Sequence, residues 1–582
     1  MQRRRSIGAE VVGGGVHFRV WAPAQERVAV VIDGRAHPLE AETDGYFSTL
    51  VPGAQAGTHY KFRLADGDYP DPASRFQPEG PHGPSEVIDP TFEWRPWRGV
   101  DPRSAVLYEM HIGTFTAEGT YAAAERHLPK LAELGITIVE LMPVSEFPGT
   151  FGWGYDGVDL YAPTRLYGRP EELRHFIDTA HAHGLGVILD VVYNHVGPDG
   201  NYLKKFTPHY FSRRYENEWG EPLNFDGEHA HGVRELFAEN AAYWIDEFHF
   251  DGLRLDATQS MFDASEKHIL CEIGERAHAA ARGRGIFLVG ENEPQNTKLL
   301  REYRLDALWN DDWHHTARVA ATGFTEAYYT DYRGTARELV AMANFGFLYQ
   351  GQYYRWQKKR RGTPSREIRP ERLVCYLQNH DQIANSATGQ RLHELTSRGK
   401  LKALTALLLL QPQTPMLFQG QEFGARTPFL YFADHNPELA KAVRKGRREF
   451  LEQFPSIKGR DLAAPEERST FEQCKLDHDE RDAELESWHR ELLALRREQP
   501  FDAELRASAL SDDCLLLRWF AGATRDRLLV VNLGDALHFD PVSDPLLAPP
   551  EGFEGWEVVW GDELREWRIP AEGATLLRPR ET

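Results

Sequence analysis

The feature that most constrains the fold of this chain is a series of eight short apolar segments, separated by helical patterns, between residues 105 and 419. Strands are predicted at 105–110, 136–141, 186–191, 250–255, 286–290, 306–309, 372–377 and 415–419. The clearest helices are predicted at 170–183 and 397–410. Eight strands that alternate with helices predict an α/β fold, a closed (β/α)8 TIM barrel. A doubly wound open sheet is the alternative, but no glycine-rich phosphate loop follows its first strand.

The sequence on either side of this region has the patterns of β-strands. Near the N-terminus, Val16, Phe18 and Val20 alternate with more polar residues, which is the period of a half-buried strand. Further strands are predicted at 29–33, 60–64, 515–520, 527–534 and 556–561. Residues 425–482 are charged and irregular, and they predict a helix and long loops before a final helix at 483–498. We therefore predict a β-sandwich at 1–93, the barrel at 94–500 and a second β-sandwich at 501–582.

The charge balance and the cysteines narrow the possible partners and the compartment. The formal net charge of −21 would repel phosphate backbones and anionic membranes, so neither nucleic acid nor a membrane is expected as a partner. The four cysteines are scattered without a paired spacing, and the first residues lack the apolar run of a signal peptide. These features predict a reduced, cytoplasmic protein that acts on a neutral substrate.

Polar side chains stand where four of the predicted strands end. The C-terminal ends of barrel strands form one face, and barrel enzymes carry their active sites on that face. The polar residues are Asp190, Asn194 and His195 after the third strand, Arg254 and Asp256 after the fourth, Glu291 and Glu293 after the fifth, and Asn379, His380 and Asp381 after the seventh. Each has an ordinary structural explanation alone; Asp256 and Gln259, for example, could form a helix capping box. Their coincidence at four strand ends favours a shared active site.

Such a set of carboxylates suits the cleavage of a glycosidic bond. That reaction needs one carboxylate to attack the anomeric carbon and one carboxylic acid to protonate the departing oxygen, about 5 Å apart in retaining enzymes. Arg254 lies two residues before Asp256, so both side chains point to the same side of a strand, and the guanidinium would keep Asp256 ionised. Neighbouring carboxylates would raise the pKa of Glu291 and allow it to act as the acid.

At these positions the sequence resembles the α-amylase family of glycoside hydrolases. DVVYNH at 190–195, GLRLD at 252–256, VGEN at 289–292 and QNHD at 378–381 are similar to the four sequence regions of that family, in order. The resemblance implies that Asp256 is the nucleophile, Glu291 the acid/base and Asp381 a third carboxylate that binds sugar hydroxyls. It implies that the residues around the reacting sugar are Tyr155, Asp190, His195, Arg254 and His380.

Other segments are similar to members of the family that act on trehalose-capped chains. They are residues 70–85, 194–203, 309–315 and 428–450. The resemblance implies a maltooligosyltrehalose or related α-glucan substrate, hydrolysis of the α-1,4 bond to the terminal trehalose, and trehalose as a product. Ala257 to Ser260 lack the Lys-His pair that typical amylases carry after the nucleophile, which agrees with a different leaving group. No carboxylate cage for calcium is recognised between 194 and 234, so neither a metal nor a cofactor is predicted.

We expect the leaving-group side of the site to lie after the sixth strand. The residues predicted to frame the trehalose are Trp309, Asp311, Asp312 and Trp313. The alternative is that the two tryptophans only pack in the core.

Three other functions stay open at this point. A glycogen branching enzyme would share the architecture and pass the glycosyl group to a sugar, and a debranching enzyme would cleave α-1,6 bonds. A non-catalytic glucan-binding protein on the same barrel is the alternative from another class, but Asp256, Glu291 and Asp381 together argue against it.

Overall fold

The N-terminal part of the chain forms two β-sheets that pack face to face. The computed structural model describes residues 3–540, 542–564 and 566–580. The first strands are β1 (Gly8–Val12), β2 (Gly15–Trp21), β3 (Ala29–Ile32), β4 (Arg35–Pro38), β5 (Glu40–Ala41), β6 (Tyr46–Val51), β7 (His59–Leu64), β8 (Gly67–Tyr69) and β9 (Ser85–Glu86). One sheet has the order β1-β2-β6-β5 and the other β4-β3-β7-β8, with β9 beside β7. Phe18 and Tyr60 join the two sheets, with ring centroids 4.8 Å apart.

The middle part is a closed barrel of eight parallel strands. Its strands are β10 (Leu107–Met110), β11 (Ile138–Leu141), β12 (Ser145–Glu146), β13 (Asp159–Pro163), β14 (Gly186–Val191), β15 (Gly252–Leu255), β16 (Phe287–Gly290), β17 (Ala307–Trp309), β18 (Tyr353–Tyr354), β19 (Lys359–Arg360), β20 (Leu373–Tyr376) and β21 (Thr414–Phe418). The barrel order is β10-β11-β14-β15-β16-β17-β20-β21, while β12 pairs with β13 and β18 with β19 outside it.

Helices surround the barrel and fill its connections. They are α1 (Ile112–Phe115), α2 (Tyr121–Glu125), α3 (Leu128–Leu134), α4 (Pro170–Ala182), α5 (Leu203–Phe206), α6 (Ala230–Glu247), α7 (Ile269–Ala280), α8 (Lys298–Arg301), α9 (Asp311–Thr322), α10 (Ala336–Phe345), α11 (His380–Ala384), α12 (Arg398–Leu410), α13 (Pro437–Leu451), α14 (Arg468–Glu472) and α15 (Ala483–Glu498). Among the described residues, no helix is both long and apolar enough to cross a membrane.

The predicted barrel is confirmed, and each of its eight strands begins and ends within two residues of the predicted segment. Both faces of a parallel sheet are covered, so its strands are nearly continuous apolar runs and can be recognised in the sequence. Inside the barrel, side chains such as Leu107, Ile188, Phe287, Val374 and Met416 form one packed cluster. The barrel is therefore a filled core whose polar residues stand at the strand ends.

The C-terminal part is a second β-structure. Its strands are β22 (Glu504–Ala509), β23 (Cys514–Phe520), β24 (Arg527–Asn532), β25 (Leu537–His538), β26 (Gly555–Gly561), β27 (Arg568–Ile569) and β28 (Gly573–Arg580). Five of them form a sheet in the order β22-β23-β24-β28-β26, and β25 pairs with β27. Leu516, Val530 and Leu577 of the sheet pack with Ile569 of the pair. The predicted boundaries fall between elements, residue 93 before β10 and residue 500 after α15.

The N-terminal sandwich is fastened to helix α6 of the barrel. Trp21 is fully buried, and a Cβ atom added to Gly232 of α6 would lie 2.1 Å from Cε2 of its ring. Arg5 is paired with Glu239 and Asp246 of the same helix. Helix α6 leads directly into β15, so this contact supports the strand that carries Arg254.

Candidate active site

The centre of the candidate site is the guanidinium of Arg254, at the end of β15. Its Nη1 donates hydrogen bonds of 2.9 and 2.8 Å to the carboxylate oxygens of Asp190 and one of 2.7 Å to Oδ1 of Asp256. Its Nη2 lies 3.0 Å from Oε2 of Glu291. Arg254 is almost completely buried, whereas Asp256 and Glu291 keep 14% and 22% of their side-chain surface exposed. One buried cation therefore holds two accessible carboxylates beside each other.

Asp256 has a second donor on the other side of its carboxylate. Nδ2 of Asn194 donates 2.8 Å to Oδ2 of Asp256 and 3.1 Å to its backbone carbonyl. With Arg254 on Oδ1, both oxygens are held, so the carboxylate has one preferred orientation. Hydrogen bonds from two donors stabilise its negative charge.

Glu291 is held by the turn that follows Asp256. The backbone N–H of Ala257 donates 2.9 Å to Oε2 of Glu291, and the hydroxyl of Thr258 donates 2.6 Å to the Glu291 carbonyl. Ala257 has a left-handed backbone with φ 39°. Burial raises the pKa of Glu291, with Arg254 acting in the opposite direction and Asp256 adding to the rise. Two residues of the segment 257–260, which lacks the Lys-His pair, thus orient the predicted acid.

A chain of hydrogen bonds links the third and seventh strand ends. The hydroxyl of Tyr155 donates 2.6 Å to Oδ2 of Asp190 and lies 3.0 Å from Nε2 of His380. Nδ1 of His380 lies 2.5 Å from Oε1 of Glu109. Burial acts to lower the pKa of His380, but the Glu109 carboxylate outweighs it and raises the pKa to about 9. His380 is therefore a cation near neutral pH, and both of its ring nitrogens donate.

His195 lies at the edge of the same site in its neutral form. Burial lowers the pKa of His195 to about 4. Its Nδ1 lies 2.6 Å from Oδ1 of Asn194, the residue that holds Asp256. The neutral ring therefore orients the Asn194 amide.

Asp381 is the second residue of the short helix α11. Its carboxylate is half-buried, and none of the described groups donates a hydrogen bond to it. The carboxylate oxygens remain available for sugar hydroxyls, which is the role the resemblance implies for this residue.

The residues after the sixth strand lie differently from the prediction. Asp312 is fully buried, and its carboxylate accepts bonds from the Tyr332 hydroxyl at 2.6 Å and from the backbone of Tyr349 at 2.8 Å. Trp313 is also buried, and its indole donates 3.1 Å to Gln411. Direct sugar contact by these two residues stays a prediction, and their burial in this structure gives it no support.

Trp309 likewise belongs to the packing inside the barrel. It is 2% exposed, and its ring lies 4.2 Å from Cζ of Arg254, a cation–π distance. The predicted sugar contact of Trp309 likewise stays a prediction that its burial does not support. Asp311 alone of the four faces the site: its side chain is 15% exposed and accepts 2.5 Å from the Tyr376 hydroxyl.

Sequence reasoning missed three buried charges near the site. Glu109 on β10 partners His380, and Arg361 after β19 pairs with Asp312 at 3.2 Å. Glu140 lies beside Glu109 in register, and neither of its buried oxygens has a partner among the described residues. A charged residue within an apolar strand, as in LYEM and IVEL, was the signal for both glutamates. Arg361 carries no such signal.

The site contains carboxylates and cations, but among the described residues no group of three or more His, Cys, Asp or Glu side chains could hold a metal ion.

Family models match the chain in three places. Residues 113–220 match the alpha amylase catalytic domain, residues 6–90 match carbohydrate-binding module 48 (isoamylase N-terminal domain), and residues 502–581 match a domain of unknown function. Fold and site together define a barrel glycosidase of the α-amylase class.

Relatives that match most of the chain identify a family within this class. Malto-oligosyltrehalose trehalohydrolase of Deinococcus radiodurans is 42% identical over 91% of this chain and 90% of its own length. The enzyme of the same name from Saccharolobus solfataricus is 40% identical over 85% and 87%. A crystal structure of a Salmonella typhimurium protein described as a candidate alpha amylase has a TM-score of 0.90 at 36% identity, covering 99% of this chain and 100% of that one. The chain belongs to the malto-oligosyltrehalose trehalohydrolase family.

Proposed function

We propose that this glycosidase hydrolyses the α-1,4 bond between a maltooligosaccharide and its terminal trehalose unit and releases free trehalose. The observation that carries the mechanism is the bridge that Arg254 forms between Asp256 and Glu291. Two carboxylates on the two terminal nitrogens of one guanidinium lie close together. This supports the short separation of a retaining enzyme, since an inverting enzyme needs room for a water between them.

In the proposed first step, Asp256 attacks the anomeric carbon while Glu291 gives its proton to the departing glycosidic oxygen. Trehalose leaves, and the maltooligosaccharide stays bound to Asp256 as a glycosyl ester. The raised pKa of Glu291 supports its role as the acid, because the side chain must be protonated before this step. In the second step Glu291 takes a proton from water, and the resulting hydroxide attacks the ester and frees Asp256.

The remaining groups are proposed either to bind the reacting sugar or to hold the reacting carboxylates in place. Asp381 has free oxygens for ring hydroxyls, and the protonated His380 supplies positive charge beside it. Tyr155 ties His380 to Asp190 and so presents its ring at a fixed angle. Asp190, His195 and Arg254 hold the two reacting carboxylates and their neighbours in place.

We propose that Asp311 contributes to recognition of the trehalose. Its exposure beside Tyr376, and the Coulombic influence of Glu291 on it, support a position near the leaving group. Asp311→Ala should then reduce kcat/KM on the trehalose-capped substrate more than on a plain maltooligosaccharide of equal length. An equal loss on both substrates would contradict this role.

The direct test is incubation with maltooligosyltrehalose, amylose and a branched dextrin, followed by sugar analysis. Free trehalose from the first substrate is expected. New α-1,6 branches would favour a branching enzyme, and linear chains from the dextrin would favour a debranching enzyme. Absence of turnover on all three would favour a glucan-binding protein.

We further propose that the enzyme works in the cytoplasm. All four cysteines are free, and Cys375, Cys474 and Cys514 are buried as thiols, which suits a reducing compartment. Fractionation of cells that express the native chain would test this, and recovery of activity outside the cytoplasm would contradict it.

A further inference from the structure

Helix α13 follows the last barrel strand and carries a basic segment that the proposed function leaves unexplained. One of its arginines, Arg447, reaches back to helix α11. Its Nη1 donates 2.9 Å to Oδ1 of Asn385, and its Nη2 donates 2.8 Å to the carbonyl of Ala384. The guanidinium therefore grips the last residue of α11 and the residue that caps it.

Helix α11 has only five residues, so it depends on its surroundings for stability. At its start, Asn379 caps the N–H of Gln382 at 2.8 Å, and His380 is held by Glu109. At its end, the carbonyl groups take donors from the residues around the helix. The backbone N–H of Ser386 donates 2.7 Å to the carbonyl of Ala384, and the Ser386 hydroxyl donates 2.8 Å to that of Ile383. Arg447 supplies such a donor to Ala384. Asp381 lies one turn before this contact.

Asp381 receives no hydrogen bond from the described residues, so its side-chain position is set by α11 and by the surrounding charge. Arg447 provides that charge as well: burial lowers the pKa of its guanidinium, and the Coulombic attraction of the Asp381 carboxylate opposes this shift. The same arginine thus fixes the backbone that carries Asp381 and attracts its carboxylate.

We propose that Arg447 is a positioning residue for Asp381: from outside the barrel, it holds α11 so that the Asp381 carboxylate meets the sugar hydroxyls in the transition state. The inference rests on the proposed role of Asp381. It gives a function to helix α13, which follows β21 and lies outside the barrel.

A purely structural role is the competing explanation. Cζ of Arg447 also lies 5.5 Å from the ring centroids of Tyr431 and Phe450, so the residue helps to attach α13. Substitution of a residue with only a structural role would lower the melting temperature and leave kcat of the folded enzyme unchanged. Substitution of a positioning residue would lower kcat itself.

The test compares Arg447→Met and Arg447→Lys with the matched control Arg448→Met, which removes a neighbouring exposed arginine of the same helix. For Arg447→Met we expect kcat to fall on the order of 10- to 100-fold, with KM changed less than about threefold, because small misplacements of a reacting group have effects of this size. Arg447→Lys should recover part of the loss, since lysine keeps the charge but not the two-pronged contact. Arg448→Met should retain the native kcat.

An unchanged kcat in Arg447→Met, or an equal loss in Arg448→Met, would overturn the inference. Asp381→Asn separates it from the proposed function. Full activity of Asp381→Asn would refute the role of Asp381 itself, whereas an inactive Asp381→Asn beside an active Arg447→Met would refute only the positioning. Adding Arg447→Met to Asp381→Asn should cause little further loss of kcat, because both substitutions remove the same interaction. Independent, multiplicative losses would contradict the inference.

Discussion

Two buried arginines on the same face of the barrel each hold three carboxylates, and the two clusters behave differently. Arg254 holds Asp190, Asp256 and Glu291. Arg361 holds Glu293, Asp311 and Asp312. Both guanidiniums are 1% exposed, so burial of the cation does not distinguish them.

The difference lies in where each arginine originates, because each cluster has one buried carboxylate and two that reach solvent. Arg254 belongs to barrel strand β15, and the two carboxylates predicted to react with substrate remain accessible. Arg361 follows the β18–β19 hairpin, and its carboxylate partner Asp312 is completely buried while also bonded to the Tyr349 backbone. The first cluster stands on the ends of barrel strands, whereas the second also ties an inserted loop to helix α9 through Asp312. A cluster of charges alone therefore does not identify an active site.

The substitution Asp256→Asn tests the role of the first cluster most directly. Removal of the nucleophile should lower kcat by at least roughly 1,000-fold, because no neighbouring group can form the glycosyl ester. The melting temperature should change little, since asparagine retains an oxygen for Arg254. Trehalose release and thermal unfolding measure the two effects. Wild-type turnover in this variant would refute the mechanism.

Glu291→Gln should have the next largest effect. We expect kcat/KM to fall by roughly 10²- to 10⁴-fold, the usual contribution of a general acid. The pKa of Glu291 is raised by burial, so its acid form persists to higher pH and activity falls as the pH rises through that pKa. The variant should lose this alkaline limb from its pH profile. A smaller loss on a glycosyl fluoride, which needs no protonation to leave, is expected; equal losses on both substrates would exclude the acid role.

Asp312→Asn tests the second cluster. It weakens the buried pair with Arg361, which retains Glu293 and Asp311, so we expect a loss of about 2 kcal/mol in the free energy of unfolding. Activity per folded molecule should stay within about threefold of the native value. Urea unfolding and kcat measure the two effects. A collapse of kcat at unchanged stability would place Asp312 in the active site instead.

Asp311→Asn should give the smallest effect, visible as a change in pH dependence. Burial raises the pKa of Asp311 from 3.8 to about 7, although Arg361 opposes the shift. Between these values the folded chain holds a proton that the unfolded chain has lost, so its contribution to stability declines as the pH rises through this window. Relative to the variant, the free energy of unfolding of the native protein should fall by about 1 kcal/mol between pH 6 and pH 7, because one pKa unit corresponds to about 1.4 kcal/mol. A constant difference across this range would contradict the shifted pKa.

The barrel could be predicted from sequence because its strands are buried on both faces and are apolar throughout. The residues Asp190, Arg254, Asp256, Glu291 and His380 came together because each stands at the end of such a strand. The periodicity of the sequence predicts the barrel, and the position of a residue in its strand predicts which side chains meet. Neither prediction requires knowledge of residues distant in the sequence.

Asp311 and Asp312 show what the sequence could not distinguish. They are adjacent, and both follow the same strand, but one faces the site and the other faces the core. Their difference depends on Arg361, about fifty residues later in an irregular segment, and on the Tyr332 hydroxyl. No local pattern reports such a partner, so the burial of Asp312 was visible only in three dimensions.

The fit of Trp21 against Gly232 couples the stability of the first sandwich to that of the barrel. A chimera joined near residue 93 would keep this contact only if its two parts supply both the tryptophan and the glycine. A shortened enzyme that begins at the barrel should open a gap behind the helix that leads to Arg254.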